Sequence, residues 1–288
     1  MPGAGGVLVA NRVERLAFSR FAGAALDRII AIDWSGAKAR LGRGAIALAR
    51  VEHGRLTELD TTLDRPTAIA ALLDEATDAS TMVALDFAFS LPRWYLTERG
   101  FDHPEKLWRS LASGDEDGAE SLIAGCEPPF WGRPGKPRPH EASLGFRRAD
   151  RVHGAKPVFQ IGGAGSVGTG TLRGMPYLLQ LRDAGWSIWP FDAPSERVIV
   201  EMYPAKLYRH AGIERVRKSS PESRGAALRR VTGVRISKKY RDVATESEHA
   251  FDALTSAVAL WNLAGGRSVE FPIPSESERV EGMIFQPE

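Results

Sequence analysis

The chain has 288 residues, 43% of them hydrophobic, and 38 Lys and Arg against 36 Asp and Glu give it a formal charge of +2. That balance suits a globular protein of one large domain or two small ones and excludes a dedicated nucleic-acid coat protein. No apolar run reaches the roughly 18 residues a membrane helix needs, and the single cysteine, Cys126, excludes an intramolecular disulfide and a CxxC metal site, so a reduced cytoplasmic setting is expected.

Residues 1–27 combine a short apolar patch with scattered arginines. They lack the core of a secretory signal and are expected to form an unordered or helical extension. The sequence RIIAIDWSG, residues 28–36, then reads as a buried strand that ends on Asp33. Residues 45–51 and 56–59 form two further strands joined by a turn at His53-Gly54. A helix starts at Pro66, and TMVALDFAFSLP is a strand running to Pro92. Short connections imply an antiparallel meander, and the helix permits a crossover to a strand parallel to the first.

From Arg93 to about Gly170 the chain changes character, with helical segments followed by a stretch rich in Pro, Gly and Arg. It reads as an insertion, residues 93–170, within a domain spanning residues 28–288. Regular structure resumes with a helix over 175–184, strands at WSIWPFD and ERVIVEMYP, helices over 205–211 and 221–231, and a last clear helix over 247–264. The tail, residues 271–288, is polar and then briefly apolar, consistent with one added strand.

Three strands share a pattern of apolar residues followed by an acid: Asp33, Asp86 in VALDFAF and Glu201 in VIVEMYP. In an open sheet, ligands gather at the carboxyl ends of parallel strands. Side by side, these three would bring their carboxylates to one rim. His249 and Asp252 share a face of the late helix, which can bring Asp252 to the same rim. Clustered carboxylates repel unless a cation lies among them, and an oxygen-rich set suits Mg²⁺ or Mn²⁺. Asp33, Asp86, Glu201 and Asp252 are therefore candidate metal ligands and catalytic residues, with His249 a candidate base. Two such ions can activate water and stabilise the leaving oxygen of a phosphodiester.

Two basic stretches could meet an acidic partner. The first includes Arg147 and Arg148 among Trp131 and Phe146, and the second includes Arg229, Arg230, Lys238 and Lys239. Phosphate neutralisation and base stacking make both candidate nucleic-acid contacts. The stretch GGAGSVG contains Gly163-x-Gly165-x-x-Gly168, a literal dinucleotide fingerprint. A true fingerprint opens a helix directly; here TGTLRGMP intervenes before the expected helix, so the stretch reads as a glycine loop beside the site.

In their order, AIDWSG, ALDFAFSLP, RGMPYLLQLRDAG with IWPFD, VEMYPAKLY, EHAFDALTSAVAL and EGMIF resemble the predicted RNase H-like nuclease family called domain of unknown function 429. The resemblance covers residues 28–285, with 93–170 matched poorly. It implies an α/β fold, a mixed five-stranded RNase H-like sheet flanked by helices, and metal-dependent hydrolysis of DNA or RNA. It assigns Asp33 and Asp86 as metal ligands on the first and fourth strands, Glu201 as the acid of the fifth and Asp252 as that of the final helix. Where relatives often carry a second acid on that helix, this chain has Glu248-His249, so either Glu248 substitutes or His249 does a different job. DWSGAK also resembles the first phosphate loop of actin-like sugar kinases, which makes nucleotide-dependent phosphotransfer the alternative enzyme reading. A nucleic-acid-binding module without catalysis is the non-enzyme one.

Overall fold

A computed structural model of the protein describes residues 18–20, 25–37, 46–75, 77, 79–139 and 145–286. Strand β1 (Phe18–Arg20) pairs antiparallel with β8 (Glu270–Pro272), so part of the predicted N-terminal extension is strand; residues 1–17 lie outside the described set. The main sheet is built from β2 (Arg28–Asp33), β3 (Ile46–Glu52), β4 (Arg55–Leu63), β5 (Thr81–Leu85), β6 (Ser187–Ile188) and β7 (Arg197–Glu201). Their order across the sheet is β4-β3-β2-β5-β7-β6. The β2, β3 and β4 strands form the antiparallel meander, and β5, β7 and β6 run parallel to β2. The sheet thus has six strands where five were expected, the two-residue β6 being an added edge.

Successive side chains of a strand point to opposite faces, and this sheet is apolar on both. Ile29, Ala31, Met82, Ala84, Val198 and Val200 join one core. Ile30, Ile32, Val83, Leu85 and Ile199 join the other. The helices divide accordingly. Helices α1 (Arg65–Leu73), α2 (Arg93–Glu98), α3 (Pro104–Ala112), α4 (Ala119–Gly125) and α6 (Gly168–Asp183) serve the second core. Preceding α6, α5 (Arg148–His153) closes the insertion. Helices α7 (Pro204–Leu207), α8 (Pro221–Leu228), α9 (Lys238–Glu246) and α10 (Glu248–Ala264) cover the first core, and α11 (Glu278–Glu281) lies near the end of the chain. The insertion is not a separate body: Tyr95, Leu96, Trp108, Ile123 and Phe130 are buried in the same core as β5 and α6.

Local chemistry sets the helix that matters most. Ser247 caps α10 by accepting a hydrogen bond from the Ala250 N–H at 3.2 Å. The run AFDALTSAVAL, residues 250–260, is then buried throughout. Alanines at 250, 253, 257 and 259 are fully buried, and such small side chains suit close contact with β2 and β3.

The second helix beside the strand ends, α6, starts at Gly168, seven residues before the predicted start at 175, and carries Pro176 within it. It therefore opens directly on the glycine loop. The dinucleotide reading fails for another reason: the residues before the loop form no strand of the sheet, only an isolated bridge between Trp131 and Gln160. Packing explains Gly168, since a Cβ there would lie 2.3 Å from the Val158 carbonyl oxygen. Gly174 in the same helix faces the Phe87 ring, 2.8 Å from where a Cβ would stand. Gly174→Ala gains helix propensity of about 1 kcal/mol, but overpacking a rigid ring costs roughly 1–3 kcal/mol. The expected outcome is a protein less stable by about 1 kcal/mol, read from the midpoint of urea unfolding.

Candidate functional site

The ladder between β2 and β5 pairs Ile32 with Leu85. A further hydrogen bond from the Asp86 N–H to the Ile32 carbonyl, 3.1 Å, carries the pairing past the strand end. Asp33 and Asp86 therefore sit side by side with their side chains on one face, the face covered by α10. Asp33 is 5% exposed and Asp252, one turn into α10, is 3% exposed, whereas Asp86 is half-buried. Burial raises the Asp86 carboxyl well above the ordinary carboxylate range, and the charges of Asp33 and Asp252 add to this. Burial and Asp33 likewise push Asp252 up to about 6.

The three acids differ in their partners. His249 shares a hydrogen bond through Nδ1 with Asp33 Oδ2. That bond, with the nearby carboxylates, raises the imidazole pKa against the opposing effect of burial. Asp252 accepts from the Tyr208 hydroxyl at Oδ1 and from Lys218 Nζ, 2.5 Å away, at Oδ2. Among the described residues none donates a hydrogen bond to the Asp86 carboxylate. Beside Asp86 a cavity of about 110 Å³ opens towards α6, lined by Phe87, Lys156, Val158, Thr171 and Tyr203 among others.

Glu201 is turned away from this group, although it lines the same cavity as Asp86 and its charge adds to the rise of the Asp86 pKa. The ladder pairs it with Leu85, not with Asp86, so its side chain points to the opposite face of the sheet. There it is 3% exposed and meets Arg147, itself 1% exposed. The guanidinium donates to both Glu201 oxygens, at 2.5 and 2.8 Å, and to Asp150 at 2.7 and 3.2 Å. The Phe89 N–H completes the Glu201 shell at 3.2 Å. The sheet's register thus keeps Glu201 at the strand ends beside Asp86 but turns its side chain to the other face, towards Arg147. The expectation that Arg147 contacts nucleic acid is corrected by its burial. Arg147 instead ties the insertion to β7. Arg148, Arg229, Arg230, Lys238 and Lys239 are exposed, with Lys238 paired to Asp242 at 2.7 Å. Glu248 lies on the first turn of α10 and is exposed, so it is not drawn into the cluster.

Among the described residues no three His, Cys, Asp or Glu side chains stand ready to hold a metal ion. Some of the carboxylate oxygens are already engaged: both of Asp252 and one of Asp33. What is left is the free oxygen of Asp33 and both oxygens of Asp86. Mg²⁺ commonly binds through one or two carboxylates, keeping waters and gaining substrate phosphate oxygens, so this donor set fits such an ion. Sequence reasoning missed Tyr208 and Lys218. Comparison with family models, curated proteins and solved structures finds no match to the chain.

Two outcomes follow from these charges. Removing Arg147 leaves two buried carboxylates without a partner, so Arg147→Met is expected to destabilise the fold by about 3–5 kcal/mol in urea unfolding. Asp86 behaves oppositely. A carboxyl whose pKa is raised by folding opposes folding once ionised; this penalty is absent below the unfolded pKa near 4 and fully present above the folded one. Asp86→Asn is therefore expected to raise the melting temperature by a few degrees at pH 7 in chelator, with the gain vanishing towards pH 4.

Proposed function

We propose that the chain is an RNase H-like, metal-dependent nuclease that hydrolyses phosphodiester bonds of DNA or RNA. The observation that carries this reading is the pair Asp33 and Asp86, adjacent at the ends of two parallel strands, on one face, beneath Asp252. The topology supports it: an antiparallel meander, a helix, then parallel strands beside the first is the order an RNase H-like sheet requires. The sixth strand is an addition at the edge and leaves the β2–β5 pair central.

Asp33 and Asp86 would hold Mg²⁺ or Mn²⁺, which supplies Lewis-acid stabilisation of phosphoryl charge and a more acidic water. The protein's own groups do the rest. Asp33 orients His249 through Nδ1, leaving Nε2 of a half-exposed ring to exchange a proton with substrate or water. The raised imidazole pKa keeps it a proton donor further towards neutrality than a free histidine. Exposed arginines and lysines at 148, 229, 230, 238 and 239 suit phosphate contacts that set affinity without reading sequence.

Asp33→Asn keeps the side chain's size and removes one charge. Cleavage with Mg²⁺ or Mn²⁺ is expected to fall by roughly 10²-fold or more, while nucleic-acid affinity at low salt changes by no more than about twofold. A parent protein that cleaves none of a broad DNA and RNA panel, with an Asp33→Asn variant that is simply less stable, would show that Asp33 is a structural hydrogen-bond partner of His249.

A further inference from the structure

Lys218 is an exposed residue whose ammonium reaches a buried carboxylate, its side chain being 44% exposed and that of Asp252 4%. It lies in the loop between the turn Tyr208–Ala211 and α8. Its backbone carbonyl accepts from the guanidinium of Arg224, a side chain only 3% exposed. Arg224 is fixed in turn by the Thr245 carbonyl at 2.9 Å, and the neighbouring Arg217 N–H is tied to Ser223 Oγ at 2.9 Å. The clamped backbone sends the lysine to Asp252, where Nζ sits 2.5 Å from Oδ2 and Tyr208 occupies the other oxygen. From there the ammonium acts on Asp33 and Asp86 as well.

A two-ion site places a second cation a few ångströms from the first, and the carboxylate left to hold it beside Asp33 and Asp86 is the one on α10. In this protein that acid is Asp252, and a protein cation already faces it. We infer that the Lys218 ammonium fills the second cation position, so that the site takes one divalent ion on Asp33 and Asp86 and presents Lys218 as a fixed positive charge to the scissile phosphate. This rests on the nuclease reading above. Lysine suits the role as a compact, fully ionised point charge with three donors.

The test is a Mn²⁺ titration of the full chain by calorimetry and electron paramagnetic resonance, with Asp33→Asn as the blank for sites elsewhere on the surface. The wild type is expected to bind one Mn²⁺ above the blank, with the spectrum of an isolated ion. Lys218→Arg, which keeps the charge, is expected to do the same. Lys218→Gln is expected to bind two, with spin coupling between them. Its melting curve confirms folding, and the wild-type count stands alone if the variant is unstable. Two coupled ions in the wild type would overturn the inference while leaving the nuclease reading intact, and so would an unchanged count of one in folded Lys218→Gln. No Mn²⁺ above the blank in any variant would overturn the metal reading and this inference together.

Discussion

Parallel pairing of β2 with β5 is the constraint on which the site depends. Each strand is apolar and buried, and the ladder between them fixes which residues stand abreast. Ile32 beside Leu85 forces Asp33 beside Asp86, at the end of the sheet and on the α10 face. Two carboxylates so placed repel at close range in a partly dry setting. A slip of one residue would send one of the pair to the other face, and it would also break both apolar cores. The fold's hydrophobic drive thus holds together two charges that would otherwise move apart. The same packing brings α10 down on the strand ends, and with it Asp252 and His249.

The alternation of the sheet turns to opposite faces two polar centres that look alike in composition and that meet along one cavity. On the α6 face, Glu201 and Asp150 share the one guanidinium of Arg147, which donates to both carboxylates. That centre is mechanical: it joins α5, the loop before it and β7. On the α10 face the balance is incomplete. Lys218 and Tyr208 serve Asp252, His249 serves Asp33, and Asp86 has no described donor. A half-buried carboxylate kept without a partner, against two others, is costly for folding and useful for binding a cation.

Much of this was legible in the sequence. Apolar runs gave β2, β5 and β7, and the acids at 33 and 86 followed from their positions after those runs. The helical spacing of His249 and Asp252 placed both on the face that meets the sheet. Glu201 shows where such reading stops. VALD and VIVE look equivalent as strings, but the ladder sets Glu201 beside Leu85, one position short of Asp86. Register between strands far apart in sequence comes from tertiary packing, which no local pattern carries. Arg147 misled for a similar reason: it sits in a basic, glycine- and proline-rich stretch that reads as solvated surface, and only the buried acids across the fold make its burial possible. Lys218 lay in a run of basic residues with nothing local to single it out, because its role depends on Arg224 and Asp252. The strand expected at WSIWPFD is present as the two-residue β6, and the early start of α6 was set by neighbours rather than by periodicity.

The most direct measurement of the central claim, that Asp33 and Asp86 form one cation-binding pair, is an anomalous difference map from crystals soaked in Mn²⁺. The expected result is a peak bridged by the two carboxylates, with His249 still bonded to Asp33. Asp33 and Asp86 pointing apart, with no peak between them at millimolar Mn²⁺, would contradict it.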